Sequence, residues 1–115
     1  MRLEQNGGWK KMMLKLWIDD IRPAPNGFLH CKTVDEVKSM VRSYERQHNY
    51  DTILLDLDHD AGEYANPHDY IEILNWLERE GIVDQGYFFR IHSQNVVGRQ
   101  NMEAIIRHNK WRFAL

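Results

Sequence analysis

The stretch Thr52-Ile-Leu-Leu-Asp-Leu-Asp-His-Asp60 decides the fold. From Thr52 to Leu57 the apolar residues run without the alternation of a half-buried strand. That pattern predicts a strand covered on both faces, as at the centre of a parallel sheet. The run then turns polar at once, through Asp58, His59 and Asp60.

Working outward, the flanking segments alternate between strand and helix patterns. Met13 to Ile18 reads as a first strand, ended by Asp19-Asp20, and Phe28 to Lys32 as a second. Between them lies a loop over residues 21–27, stiffened by prolines, with an Asn26-Gly27 turn. This crossover is a short loop where a helix would be expected between parallel strands, so it is tight. Thr33 and Glu36 form a capping box for a helix whose stripe is Val34, Val37, Met40, Val41 and Tyr44, fraying near His48 and Asn49. Beyond the central strand, Asn66-Pro67 signals a helix start and Gly81 its end. Tyr87 to Ile91 predicts another strand, Asn95 a cap for a helix to about His108, and Trp111 to Leu115 a final strand. Trp17, Trp76 and Trp111 are expected in the core, and Arg90 at the surface. Strand–helix alternation of this kind predicts an α/β fold with a parallel sheet.

Composition bounds the function. The chain has 115 residues, the size of one domain, with 43% hydrophobic and 28% charged residues. Residues 1–11, MRLEQNGGWKK, read as a flexible tail and residues 12–115 as a single domain. The tail lacks the apolar core of a signal peptide, and no apolar run reaches the length of a membrane span. Cys31 is the single cysteine, so no internal disulfide forms, which fits a reducing cytoplasm. A net charge of −2 argues against a broad nucleic-acid-binding surface, but leaves room for a pocket that takes one nucleotide or one phosphate end. Nothing in the pattern demands an oligomer.

Ligands in open parallel sheets bind beyond the carboxyl ends of the strands. Three predicted strands end in polar clusters: Asp19, Asp20 and Arg22; Asp56, Asp58, His59 and Asp60; and His92, Ser93 and Asn95. Crowded carboxylates raise one another's pKa or require a cation, and a hard ion such as Mg²⁺ or Mn²⁺ suits Asp19, Asp20, Asp56 and Asp58. Asp60 and one of Asp19 and Asp20 read equally well as turn or cap carboxylates. His59 and His92 follow strands expected to be neighbours, about 4.8 Å apart. Such a pair suits general acid–base attack by water on a cyclic phosphodiester. Metal ligation by His and Asp competes with that reading. Ser93, Asn95 and the helix start after them, with Gly98 in its first turn, can hold a phosphate, or Ser93 and Asn95 can simply cap the helix. Arg22 is placed to pair with phosphate or to bridge the carboxylates.

Three motifs together resemble a known family. Asp19-Asp20-Ile21-Arg22-Pro23, Asp58-His59-Asp60 with Gly62, and His92-Ser93-Gln94-Asn95 with Gly98 look like the receiver fold of response regulators, and more closely like the cyclic-phosphate processing receiver-like family. The resemblance runs from residue 13 onward. It implies a flavodoxin-like parallel sheet of five strands with helices on both faces, the first helix reduced to a loop and the last absent. It places Asp56 at the phosphoacceptor position of ordinary receivers and Ser93 at their hydroxyl position. Lys110 precedes the final strand instead of ending it, and the two histidines are foreign to signalling receivers. The implied activity is a phosphoesterase using His59 and His92 as acid and base, with a 2′,3′-cyclic end of RNA or a small cyclic nucleotide as substrate, in RNA repair or nucleotide metabolism. A binding module that holds a cyclic nucleotide uncleaved, and a degenerate receiver signalling through Asp56, are the alternatives.

Overall fold

A computed structural model of the chain describes residues 12–47, 50–60 and 69–114. The expected tail over residues 1–11, the fraying at His48 and Asn49, Gly62, and the helix start at Asn66-Pro67 lie outside the described residues. The elements are β1 (Met13–Ile18), β2 (Leu29–Cys31), α1 (Val34–Gln47), β3 (Thr52–Leu57), α2 (Ile71–Glu80), β4 (Tyr87–Ile91) and α3 (Val96–His108). The strands form one parallel sheet in the order β2-β1-β3-β4. No helix among the described residues is long and apolar enough to cross a membrane.

Local chemistry fixes the ends of the helices. The Thr33 Oγ1 accepts from the Glu36 N–H and the Glu36 Oε1 accepts from the Thr33 N–H, both at 3.0 Å, which completes the capping box. Gly81 closes α2 at φ 65°, donating to the Leu77 carbonyl. The Asn95 Oδ1 accepts from the Gly98 N–H at 2.9 Å and so caps α3.

The first crossover is the loop the sequence predicts. Asp19 organises it: its Oδ1 accepts from the N–H groups of Ile21 and Arg22, each at 2.9 Å. Trp17 Nε1 donates to the Arg22 carbonyl at 3.0 Å, and Gly27 takes the left-handed turn at φ 88°. Side-chain and turn hydrogen bonds thus replace the helix that usually spans a parallel crossover.

That replacement decides where the helices lie. The chain moves one way from β1 to β2, then reverses, passing over β1 to reach β3 and on to β4. Right-handed crossovers running in one direction put their helices on one face. Accordingly α1, α2 and α3 all pack on the side of Leu14, Leu16, Ile18, Ile53, Leu55 and Leu57, in one core cluster with Val37, Val41, Ile73, Leu77, Met102 and Ile106. Helices were expected on both faces. The connection that would cover the second face is the β1–β2 loop, so among the described residues that face has no helix over it.

The expected fifth strand is also reduced. Sheet pairing after α3 is a single parallel bridge between Phe89 and Phe113, so the sheet has four strands, not five. Lys110 turns the chain at φ 58°, and the segment meets β4 only where Phe89 donates to the Arg112 carbonyl and accepts from Ala114. Trp111 stacks on Phe89 with ring centroids 5.1 Å apart instead of continuing a ladder.

Burial on the helix side is close to complete, with Leu16, Ile18, Leu55 and Phe89 all at 0% exposure. Each such side chain contributes roughly 1.5–3 kcal/mol relative to an exposed one. Cys31 lies in this core, where burial, with the Glu36 charge, pushes its thiol up to about 11. It is therefore a packing residue, not a nucleophile.

Candidate functional site

The carboxyl ends of β1, β3 and β4 meet at one rim, and Asp19, Arg22, Asp56, Asp58 and His92 gather there. His92 is the hub. Its Nδ1 lies 2.7 Å from Asp56 Oδ1 and its Nε2 lies 2.9 Å from Asp19 Oδ2. Ionised carboxylates only accept hydrogen bonds, so this geometry is satisfied when both ring nitrogens carry a hydrogen. The imidazole also lies flat on Trp17, centroids 3.8 Å apart and planes 6° from parallel.

Arg22 ties this centre to the loop. Its Nη1 donates to Asp19 Oδ2 at 3.3 Å and to the His92 carbonyl at 3.1 Å, and stands 4.0 Å from Asp58 Oδ2. Burial raises the Asp19 carboxyl, but the N–H donors of Arg22 and Ile21 and the His92 ring outweigh it, and the net effect is a lowered pKa. Asp19 is thus a buried anion, satisfied by backbone and side-chain donors together.

His59 sits in a second cluster beside the start of α3. Its Nδ1 lies 2.8 Å from Asp60 Oδ1, and Asn95 Nδ2 donates to that same oxygen at 3.2 Å. The His59 bond, opposed by burial and helped by Asn95, holds the Asp60 carboxyl below its ordinary range. The Nε2 of His59 has no hydrogen-bond partner among the described residues. A Cβ placed on Gly98 would collide with His59 Cγ, so the ring occupies the space a side chain there would fill. Glycine in a helix costs about 1 kcal/mol relative to alanine. Here that cost leaves room for an imidazole. Gly98 was expected to open the helix start to a phosphate; in the structure its open space is taken by the His59 ring.

The sites predicted from sequence divide between these two clusters. Asp19, Asp56, His92 and Arg22 form the first; His59 and Asn95 form the second, with Asp60. Asp58 stands between, its Oδ1 accepting from the His59 N–H at 2.8 Å and its Oδ2 facing Arg22. Ser93 is buried, and its Oγ accepts from the Asn95 N–H at 3.1 Å, in the manner of a turn at the helix start. Asp19, Asp20 and Asp58 each offer an oxygen within 4.8 Å of one another, a donor set that fits a hard divalent cation. Asp56 is not in that group; its oxygens face His92 and, at 3.5 Å, Arg90 Nε.

Two neighbours escaped the sequence reading. Trp17 was expected in the core and instead stacks on His92. Arg90, expected at the surface, is exposed there, and it also pairs with Asp56. Register would have found both, because Trp17, Asp56 and Arg90 are Cα partners across β1, β3 and β4. The alternation Leu14, Leu16, Ile18 already sets Trp17 on the opposite face.

Comparison with known families gives one result. The model of the cyclic-phosphate processing receiver domain matches residues 14–108. No curated protein and no solved structure matches the chain.

Proposed function

This chain belongs to the cyclic-phosphate processing receiver domain family, and from that premise we propose that it hydrolyses a cyclic phosphodiester by histidine acid–base chemistry. The family name covers processing of cyclic phosphates; the reaction and the residues are our own reading. One observation carries it. At the ends of adjacent strands, each of His59 and His92 has its Nδ1 held by a carboxylate, at 2.8 and 2.7 Å. A carboxylate on Nδ1 fixes the tautomer and turns Nε2 toward the reacting groups.

The two rings are not equivalent, and we assign their roles on that difference. His59, whose Nε2 has no hydrogen-bond partner among the described residues, is the general base. It takes a proton from water as the water oxygen bonds to phosphorus. The bond from phosphorus to the ribose oxygen breaks, and His92 supplies the proton that this oxygen gains. A substrate oxygen must then replace Asp19 at Nε2 of His92. Arg22 pairs with the phosphoryl oxygens, and Ser93 with the N–H groups at the start of α3 completes the cradle. Asp19, Asp20 and Asp58 would hold Mg²⁺ or Mn²⁺, which would add positive charge beside the phosphate. Asp56 serves His92, so it is not a phosphoacceptor in this reading.

The engagement of both His92 nitrogens favours a second reading, a module that binds a cyclic nucleotide uncleaved. Incubation with 2′,3′- and 3′,5′-cyclic nucleotides, with Mg²⁺, Mn²⁺ or chelator, separates the two by product mass. Gain of one water, reduced at least about a hundredfold in His59→Ala and in His92→Ala, is the expected result. Gly98→Ala should lower the rate at least about tenfold by displacing the His59 ring. Ligand recovered intact with a raised melting temperature would establish the binding module. Full turnover in both histidine variants would end the acid–base assignment.

A further inference from the structure

The face of the sheet without a helix carries its own pattern. Alternation along the strands places Lys15 and Trp17 of β1, Leu54 and Asp56 of β3, and Phe88 and Arg90 of β4 on that face. Register lines them up in two rows, Lys15-Leu54-Phe88 and Trp17-Asp56-Arg90. The second row leads directly to His92, through the Trp17 stack. The first row floors a groove of about 490 Å³ bounded by Lys15, Phe28, Leu54, Phe88, Arg90 and Phe113.

Aromatic rings and cations are interleaved here. Lys15 Nζ stands 5.0 Å from the Phe28 ring centroid, Arg112 lies over Phe88 at 4.4 Å and Arg107 over Phe113 at 5.5 Å. Phe28 meets Trp17 edge to face at 5.9 Å. Among the described residues the groove has no carboxylate in its lining. The one acid on these two rows, Asp56, is 2% exposed and already paired with Arg90 and His92. A chain of net charge −2 has therefore set aside a strip of its surface that is aromatic and cationic.

We propose that this sheet face, with no helix over it among the described residues, binds a single-stranded oligonucleotide, with bases against the aromatic rings at its surface, phosphates against Lys15 and Arg112, and the strand's terminus at the His92 rim. Aromatic platforms with interleaved cations bind single strands because every base has a face to stack and every linkage an anion to neutralise. Charge complementarity and continuity with the rim favour a nucleic-acid strand over a protein or a second copy of the chain. The inference deepens the proposed function, on whose site it depends for the strand's terminus: it makes the end of a strand a better substrate than a free cyclic mononucleotide, which reaches only the rim.

The test separates face from site. Fluorescence anisotropy would follow the purified protein with a labelled RNA hexamer ending in a plain 3′-hydroxyl, which cannot be hydrolysed at the site. Saturable binding at low salt, weakening as salt rises, is expected. Phe88→Ala should weaken it at least about tenfold, and so should Lys15→Gln combined with Arg112→Gln, which leaves packing in place. His59→Ala should bind as tightly as the parent. Turnover of a cyclic mononucleotide, measured alongside, should be unchanged in the Lys15→Gln, Arg112→Gln variant. No saturable binding, or equal binding by the face variants, would overturn the strand-binding face even if the mononucleotide is cleaved. A dimer in sedimentation that the face variants dissolve, without RNA binding, would also overturn it and give the face to a second copy. Absence of cleavage by the parent of both a cyclic mononucleotide and an RNA hexamer ending in a 2′,3′-cyclic phosphate, with RNA binding intact, would instead sink the phosphoesterase reading alone.

Discussion

The two faces of one sheet differ more than their shared backbone suggests. On the helix face, Leu16, Leu55 and Phe89 are sealed by three helices and answer to packing alone. On the other face, Lys15, Phe28, Phe88 and Arg90 cover one another, and Trp17 and Asp56 serve His92. The difference arises in one connection. Because the β1–β2 crossover is a loop organised by Asp19, the face it would have covered is left to side chains. The residue that organises the loop also accepts from His92 at 2.9 Å. A single aspartate thus links the absence of the helix to the construction of the rim.

The sharpest way to break this comparison is to truncate one side chain on each face. Leu55→Ala removes a wholly buried group and should cost about 2–5 kcal/mol in urea unfolding. Phe88→Ala, on a half-exposed ring, should cost about 1 kcal/mol or less, well below the range for a sealed aromatic. Equal losses would show that the second face is packed as tightly as the first.

Acid tests the rim. The pKa of Asp19 in the folded chain is below its ordinary value of 3.8, and that of Asp60 is lowered too. A carboxyl with a depressed folded pKa adds stability that is complete above its unfolded pKa. That stability is lost as pH falls through the folded value. Thermal unfolding in chelator should therefore be flat with respect to these groups above about pH 5 and decline steeply below about pH 4. Asp19→Asn should flatten the acid decline, at the cost of lower stability at pH 7. An unchanged acid slope would remove Asp19 from the account.

A smaller effect belongs to Thr52, on the sheet face opposite the helices, two residues before Leu54. Its hydroxyl is buried, and it is the one buried side-chain polar atom without a hydrogen bond among the described residues. Thr52→Val should stabilise the chain by about 1 kcal/mol, since it removes a desolvated hydroxyl and keeps the shape. A loss of stability would mean that the hydroxyl has a partner in solution.

Much of this was legible in the sequence because it is local or periodic. The apolar run from Thr52 to Leu57, the Thr33 and Glu36 box and the Asn95 cap each declare themselves within a few residues. The convergence of Asp19, Asp56 and His92 follows from strand ends meeting at one rim. What stayed hidden depends on register and direction. The sequence does not say that His92 points toward Asp19 while His59 turns to Gly98, since both simply follow a strand. Nor does it say which face loses its cover, because that needs the strand order and the handedness of the crossovers. The final strand was over-read: Trp111 to Leu115 has strand-like residues, but after the turn at Lys110 it meets the sheet at only one bridge.

That one bridge has a consequence for how the molecule behaves in a crowd. Parallel sheets end in rows of unpaired amides, and an open row is a template for another chain. Beside β4, the amide and carbonyl of Phe89 are already spoken for by Arg112 and Ala114. On the opposite border, β2 offers only three residues. With one border blocked in its middle and the other too short to zip, growth of the sheet from molecule to molecule is discouraged.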